Sequence, residues 1–328
     1  MGFSEIIGHP KQMETLRLAL ANGRLHHAYL FAGPEGVGKR TFAVALAKAI
    51  HCGAMSVDFC GQCANCARIE AGNHPDVCIV EPLAEKKDIS IQQIRDLEKK
   101  LNFRSFSGGK KLAILDPATL MNFSAQNALL KTLEEPPRDS LLILIAANSG
   151  GLLPTLRSRC LQMTFGPLPR HLLASFLVSR KGIKEEDADF LAAMAGGSVG
   201  AAVRIDSEEL RERRRTWVGL LSSLKAGDYR AATEAAEVLA DNREESLRFL
   251  AWAESWYRDL IVHTVKRDPK DMINLDMLPR IQHESANGNL ELMLASIAQT
   301  VRAGAQIQRN LNRRMVLESL FFTVAGAR

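Results

Sequence analysis

Gly33-Pro34-Glu35-Gly36-Val37-Gly38-Lys39-Arg40 lies between a short apolar run, Ala28 to Ala32, and an amphipathic run from Thr41 to Ile50. Strand, glycine loop and helix in that order have the spacing of a phosphate-binding P-loop. Gly33, Gly36 and Gly38 let backbone N–H groups turn toward phosphate oxygens, and the helix N-terminus adds its partial positive charge. Lys39 stands where a β- or γ-phosphate is clamped. The next position breaks the pattern. A Ser or Thr there would give Mg²⁺ a hydroxyl, whereas Arg40 is a permanent cation with no oxygen to offer. Thr41 comes one residue late. The loop is shaped for a nucleotide but lacks its metal ligand.

Outward from this loop, apolar runs and amphipathic runs alternate. Strands are expected at Val77–Glu81, Leu112–Asp116, Leu141–Ala147 and Leu161–Phe165. Helices are expected at Ile91–Leu101, capped by Asp88 or Ser90, and from a Ser124 cap to Glu135, where Pro136-Pro137 stops it. An amphipathic helix with Met13, Leu16 and Leu20 on one face precedes the first strand. Such alternation gives an α/β fold with a doubly wound parallel sheet, and phosphate chemistry then belongs at the carboxyl ends of the strands. The loops after Ala32, Asp116 and Ala147 should meet there.

Pro167 and Pro169 close that region, and from His171 onward the pattern is helical, with a break at Gly196-Gly197-Ser198. Three domains are expected, over residues 1–166, 167–206 and 207–328. In the last, Leu247, Leu250, Trp256, Leu260 and Ile261 carry more apolar surface than one small domain should hide, which points to oligomerisation. Arg211, Arg213, Arg214 and Arg215 read as a solvated helix face without aromatic interleaving.

Of six cysteines, four fall within fifteen residues, as Cys52-x7-Cys60-x2-Cys63-x2-Cys66. Two CxxC steps and a fourth thiolate are the donor set of a closed, structural Zn²⁺ site. Cys78 and Cys160 read as a strand core residue and a loop residue. A composition of 46% hydrophobic and 24% charged residues is that of a soluble globular chain, and a net charge of +5 permits nucleic-acid contact without arguing for it. No run reaches membrane-spanning length, the Met1–Ser4 start lacks signal-peptide shape, and Ile6 occupies the hydroxyl position of a myristoylation motif. The cytoplasm is the expected location.

Asp116 ends a strand where phosphate-loop enzymes place the acid that reaches Mg²⁺; as the first residue of Asp-Pro it also suits a turn. ATPases of the AAA+ type follow that acid with a glutamate that polarises water, and here Pro117 follows. Asn148 is either a polar sensor of a γ-phosphate or a turn former before Ser149-Gly150-Gly151. Leu156-Arg157-Ser158-Arg159-Cys160 sets two arginines just before the last strand.

Thr132-Leu133-Glu134-Glu135-Pro136-Pro137 and Thr155-Leu156-Arg157-Ser158-Arg159-Cys160 resemble the clamp-loader subunits of bacterial DNA polymerase III. His27-Ala28-Tyr29-Leu30-Phe31, the glycine loop, the four cysteines and His74-Pro75-Asp76 fit the same family in the same order. The resemblance covers about the first two hundred residues closely. The tail, with Asn310-Leu311-Asn312 and Leu317-Glu318, follows more loosely. It implies an AAA+ domain with a four-cysteine zinc module at about 52–66, a small helical lid and an all-α collar. The family has ATP-hydrolysing motor subunits and a delta-prime subunit. Motors carry Ser or Thr after the lysine, Asp-Glu at the strand end and an arginine in a Gly-Ser-x-Arg sensor. This chain has Arg40, Pro117 and Gly200 at those places.

Arg159 is retained, and in the family its counterpart acts in trans on a neighbour's ATP. A damaged own site with an intact donated arginine is the delta-prime pattern. The implied partners are the motor subunits and the delta subunit of a hetero-pentamer, with the sliding clamp and primed DNA reached through the complex. Binding of ATP or ADP by the chain itself stays open. The rival readings are a hydrolysing motor using Thr41, and a zinc-containing DNA-binding module.

Overall fold

The computed structural model describes residues 2–55, 57–84, 86–106, 108–224, 227–266 and 272–326. The chain divides into two compact units: Met1–Ala188 with Ala195–Arg204, and Asp189–Met194 with Ile205–Arg328.

The first unit is organised by a five-stranded, all-parallel sheet: β1 (Ala28–Ala32), β2 (Val77–Val80), β3 (Lys111–Leu115), β4 (Ser140–Ala146) and β5 (Leu161–Thr164), in the order β2-β3-β4-β1-β5. The expected strands are all present, within a residue or so at their ends. The nearly unbroken apolar character of β1, β3 and β4 has a structural cause, because both sheet faces are covered there, while the edge strand β5 buries only Met163. Ala28, Leu30, Ala113, Leu115, Leu142 and Leu144 face one core, while Tyr29, Phe31, Leu112, Ile114, Ile143 and Ile145 face the other.

Helix α1 (Pro10–Ala21) buries Leu16 fully and half-buries Met13 and Leu20. Helix α2 (Lys39–His51) starts on Gly38, in the left-handed region at φ 104°, and α3 (Ala64–Glu70) follows Cys63. For α4 (Ile91–Asn102) the cap is Ser90, in a reciprocal pair: Gln93 N–H donates to Ser90 Oγ at 3.4 Å, and Ser90 N–H donates to Gln93 Oε1 at 3.1 Å. For α5 (Phe123–Glu134) the expected cap is wrong. Asn122 caps it, its Oδ1 accepting the Ala125 N–H at 2.9 Å, and Ser124 lies inside the first turn. Short α6 (Pro154–Arg157) precedes β5, and α7 (Arg170–Lys181), α8 (Glu185–Met194) and α9 (Val199–Arg204) follow it.

The second unit is helical among its described residues: α10 (Ser207–Ser223), α11 (Tyr229–Ala240), α12 (Arg243–Lys266), α13 (Leu278–Asn287), α14 (Leu290–Gln308) and α15 (Arg313–Gly326). Its core gathers Trp217, Phe249, Trp252 and Trp256, the last two stacked at 5.7 Å. Two expectations are corrected here. Leu250, Trp256 and Leu260 are buried in this unit's own core, and Leu247 and Ile261 pack against it, so that stripe of α12 does not need a partner to cover it. Nor is the arginine run a uniformly solvated face. Arg214 is fully buried, donating to Asp276 Oδ2 at 2.8 Å and Asn274 Oδ1 at 2.7 Å, with its guanidinium 5.1 Å from the Phe190 ring centre. A buried guanidinium left without such partners would cost several kcal/mol. Arg211 stacks on the same ring at 4.5 Å. Among the described residues no helix is long and apolar enough to cross a membrane.

Candidate functional site

At the carboxyl ends of the strands, Gly36–Thr41, Asp116, Pro117 and Ile145–Ala147 line one cavity of about 540 Å³, with Ile7, Phe176 and Gly200 on its other sides. The loops after β1, β3 and β4 therefore meet as the alternation implies. The leader segment helps hold them: His9, which caps α1, has Nε2 2.9 Å from Val37 O of the glycine loop.

The polar groups of this cavity are largely satisfied by one another. Lys39 Nζ donates to Gly33 O at 2.6 Å and Pro34 O at 2.5 Å, and burial lowers its pKa. Arg40 reaches across to Glu81, just past the end of β2, and to Asp116 Oδ2 at 3.5 Å. Pairing with Glu81 raises the Arg40 pKa, while burial raises that of Asp116 despite the nearby guanidinium. Lys39 is thus held by two carbonyls of its own loop, and Arg40 by the two carboxylates Glu81 and Asp116. Sequence reasoning misses Glu81 because its partner lies forty-one positions away. Its one signal is an acid at the carboxyl end of an apolar strand.

Gly200 closes the same cavity. Its N–H donates to Gly36 O at 3.0 Å, and a Cβ on Gly200 would lie 3.1 Å from Gly36 Cα. Ser198 Oγ donates to Glu35 O at 2.9 Å. Any side chain at position 200 would crowd this backbone-to-backbone approach. Gly36 itself sits at φ +72°, where a Cβ would come 2.3 Å from Ser198 Oγ. Asn148 does not line the cavity. Its Oδ1 accepts the Gly150 N–H at 3.0 Å, which is the turn-forming arrangement.

Arg159 follows α6 and stands apart from the residues that line the cavity. Its Nη1 donates to Thr155 O at 2.9 Å, and its Nη2 lies 2.6 Å from Glu134 Oε1 at the end of α5. The side chain keeps 36% exposure, so the group is anchored but open to solvent. In Arg157 the Nε is buried without a hydrogen-bond partner.

Cys52, Cys60, Cys63 and Cys66 bring their sulfur atoms within 4.8 Å of one another. Four thiolates about 2.3 Å from one Zn²⁺ stand roughly 3.8 Å apart, so the donor set fits a closed tetrahedral site with little adjustment. Cys60 N–H points at Cys52 Sγ (3.4 Å) and Cys63 N–H at Cys60 Sγ (3.3 Å). Backbone amides from Cys66 and Gly53 draw the Cys63 pKa down to about 6, while burial pushes Cys66 up to about 12. A divalent cation would offset the charge that these sulfurs cannot carry alone. The module is fastened to the domain through Phe59, edge-on to Phe3 at 5.6 Å, and Asp58 Oδ1, which accepts the Phe3 N–H at 2.8 Å.

A second cluster, His51, His74 and Asp76, is buried in the same unit. Two of its members fasten the loop that precedes β3. His74 Nδ1 accepts the Asp76 N–H at 3.2 Å, leaving the proton on the other nitrogen, and Asp76 holds Ser105 Oγ at 3.0 Å and Phe106 N–H at 2.8 Å.

Residues 8–169 match the family model described as DNA polymerase III, delta subunit. The DNA polymerase III subunit delta-prime of Pseudomonas aeruginosa is 34% identical over 301 residues, 90% of each chain. That of Bacillus subtilis is 29% identical, covering 95% of this chain and 94% of its own. The tau subunit of Escherichia coli is 33% identical over 214 residues, 63% of this chain and 33% of its own length.

Proposed function

As the chain belongs to the DNA polymerase III delta-prime family, we propose that it completes the replicative sliding-clamp loader without hydrolysing ATP itself. In this reading it lends Arg159 to the ATP of a neighbouring motor subunit. The observation that carries the proposal is a contrast. Lys39, Arg40 and Gly200 are spent on internal contacts in the chain's own cavity, while Arg159 stands half-open on an anchored loop.

Residues 1–166 form an AAA+ domain with its zinc module, 167–206 a lid, and 207–328 the collar that joins the motor and delta subunits. Tyr229, Val238, Met315 and Phe322, exposed on α11 and α15, replace the α12 stripe as the apolar surface available for that assembly. Clamp and primed DNA are met through the complex, in the cytoplasm. Structural Zn²⁺ is the cofactor held by the four cysteines.

Isolated protein is expected to show no ATP turnover above background. Arg40 fills the place of the metal-binding hydroxyl, and Pro117 offers no carboxylate to polarise water. Steady-state phosphate release that depends on magnesium and disappears in Lys39→Ala would overturn this and favour the motor reading. For the loader role itself, the protein should co-purify with motor and delta subunits and restore clamp loading onto primed DNA. Strong, salt-sensitive DNA affinity of the chain alone, without such assembly, would favour a DNA-binding module instead.

A further inference from the structure

We propose that Glu134 is a positioning residue for the donated arginine, holding the Arg159 guanidinium ready for the neighbour's phosphate. The inference rests on the reading of Arg159 as a trans finger. It gives a physical link between two motifs twenty-five residues apart: the last helical residue of α5 and the loop after α6 meet at one guanidinium. Pro136 and Pro137 end α5 just past Glu134, so that carboxylate projects at a fixed point instead of continuing along a helix face.

The geometry suits positioning. Nη2 is held by Glu134 at 2.6 Å and Nη1 by the Thr155 carbonyl at 2.9 Å, with Ser158 Oγ at 3.5 Å from Nη1. A guanidinium has five N–H donors, so at least two remain for a phosphate oxygen pair. Two anchors on different elements remove much of the rotamer freedom that a lone arginine would lose on engaging its target. Because Glu134 is itself half-exposed, its charge is screened and does not compete strongly with a triphosphate for the arginine. The acceptor oxygen matters more here than the full negative charge.

The test uses the reconstituted loader with all motor sites disabled except the one that Arg159 serves, and reads single-turnover hydrolysis at saturating ATP. Glu134→Ala should slow that step by about three- to tenfold while ATP affinity at the motor and loader assembly stay unchanged. Glu134→Gln, which keeps an acceptor oxygen, should recover most of the rate. The double variant Glu134→Ala/Arg159→Ala should be no slower than Arg159→Ala alone, since the glutamate acts only through the arginine. Equal rates for Glu134→Ala and the unaltered loader, a faster rate, or additive losses in the double variant would each overturn the proposal. Failure of the finger reading is a separate result: Arg159→Ala would then leave the rate unchanged.

Discussion

Arg159→Ala is expected to leave folding, zinc content and assembly intact and yet slow ATP hydrolysis at one neighbouring motor site by roughly a thousandfold. The expectation follows from where the side chain stands. Arg159 is not among the residues that line the cavity of Gly36–Thr41 and Asp116, and in the proposed reading it serves a nucleotide of the neighbouring subunit. Its loss removes transition-state charge stabilisation from chemistry carried out elsewhere. Lysine should rescue poorly, because a point charge cannot span two phosphate oxygens as the planar fork does. Arg157→Ala serves as the internal comparison and should matter less, its Nε being buried against the protein. Total hydrolysis by a loader with all sites active should fall only in part, because in the proposed reading Arg159 serves a single motor site.

The second large effect concerns the four cysteines. Protein prepared without chelators should contain about one zinc per chain, and Cys63→Ser should lose it. With the metal go the constraints on residues 52–66 and, through Phe59 and Asp58, on the leader segment at Phe3. Phe3, Ala45, Ala49, Phe59 and Cys66 form one buried cluster, so release of the module uncovers the outer face of α2. A loss of about 3 kcal/mol, or a fall in melting temperature of about 5–10 °C, is the expected scale. Loader activity should fall only in proportion to folded protein. Zinc-free protein with unchanged melting behaviour would remove the structural role.

Much of this is legible in the chain itself. Short apolar runs bounded by turn residues mark β1 to β4, because a parallel sheet covered on both faces needs no alternation, whereas the edge strand β5 alternates as Leu161-Gln162-Met163-Thr164 with only Met163 buried. The cysteine spacing carries its own geometry, since two CxxC steps draw their thiols together. What stays hidden are partners set by tertiary approach. Nothing near Arg40 announces Glu81, and nothing near Arg159 announces Glu134. Asn122 outcompetes Ser124 as a cap because the chain enters the helix earlier than the hydrophobic pattern suggests. Arg214 does have a signal in the sequence. It sits on the stripe Leu210, Arg214, Trp217 and Leu221, at helical spacing with two residues of the core. A charged residue on an apolar stripe is a buried ion-pair candidate before it is a solvated one.

Gly200 shows how a departure from a motif acquires a physical meaning. The missing side chain is used for a backbone approach to Gly36. Arg40 has a comparable role, tying α2 to the ends of β2 and β3 through Glu81 and Asp116. Both contacts brace the glycine loop and the ends of β2 and β3 from within the chain.

That this chain serves its neighbour's ATP and not its own is tested most directly by comparing Lys39→Ala with Arg159→Ala in the reconstituted loader. Every other motor site is disabled, and single-turnover hydrolysis is read. The expected result is a rate within about twofold of the unaltered loader for Lys39→Ala and a loss of roughly a thousandfold for Arg159→Ala. Hydrolysis abolished by Lys39→Ala and untouched by Arg159→Ala would contradict it.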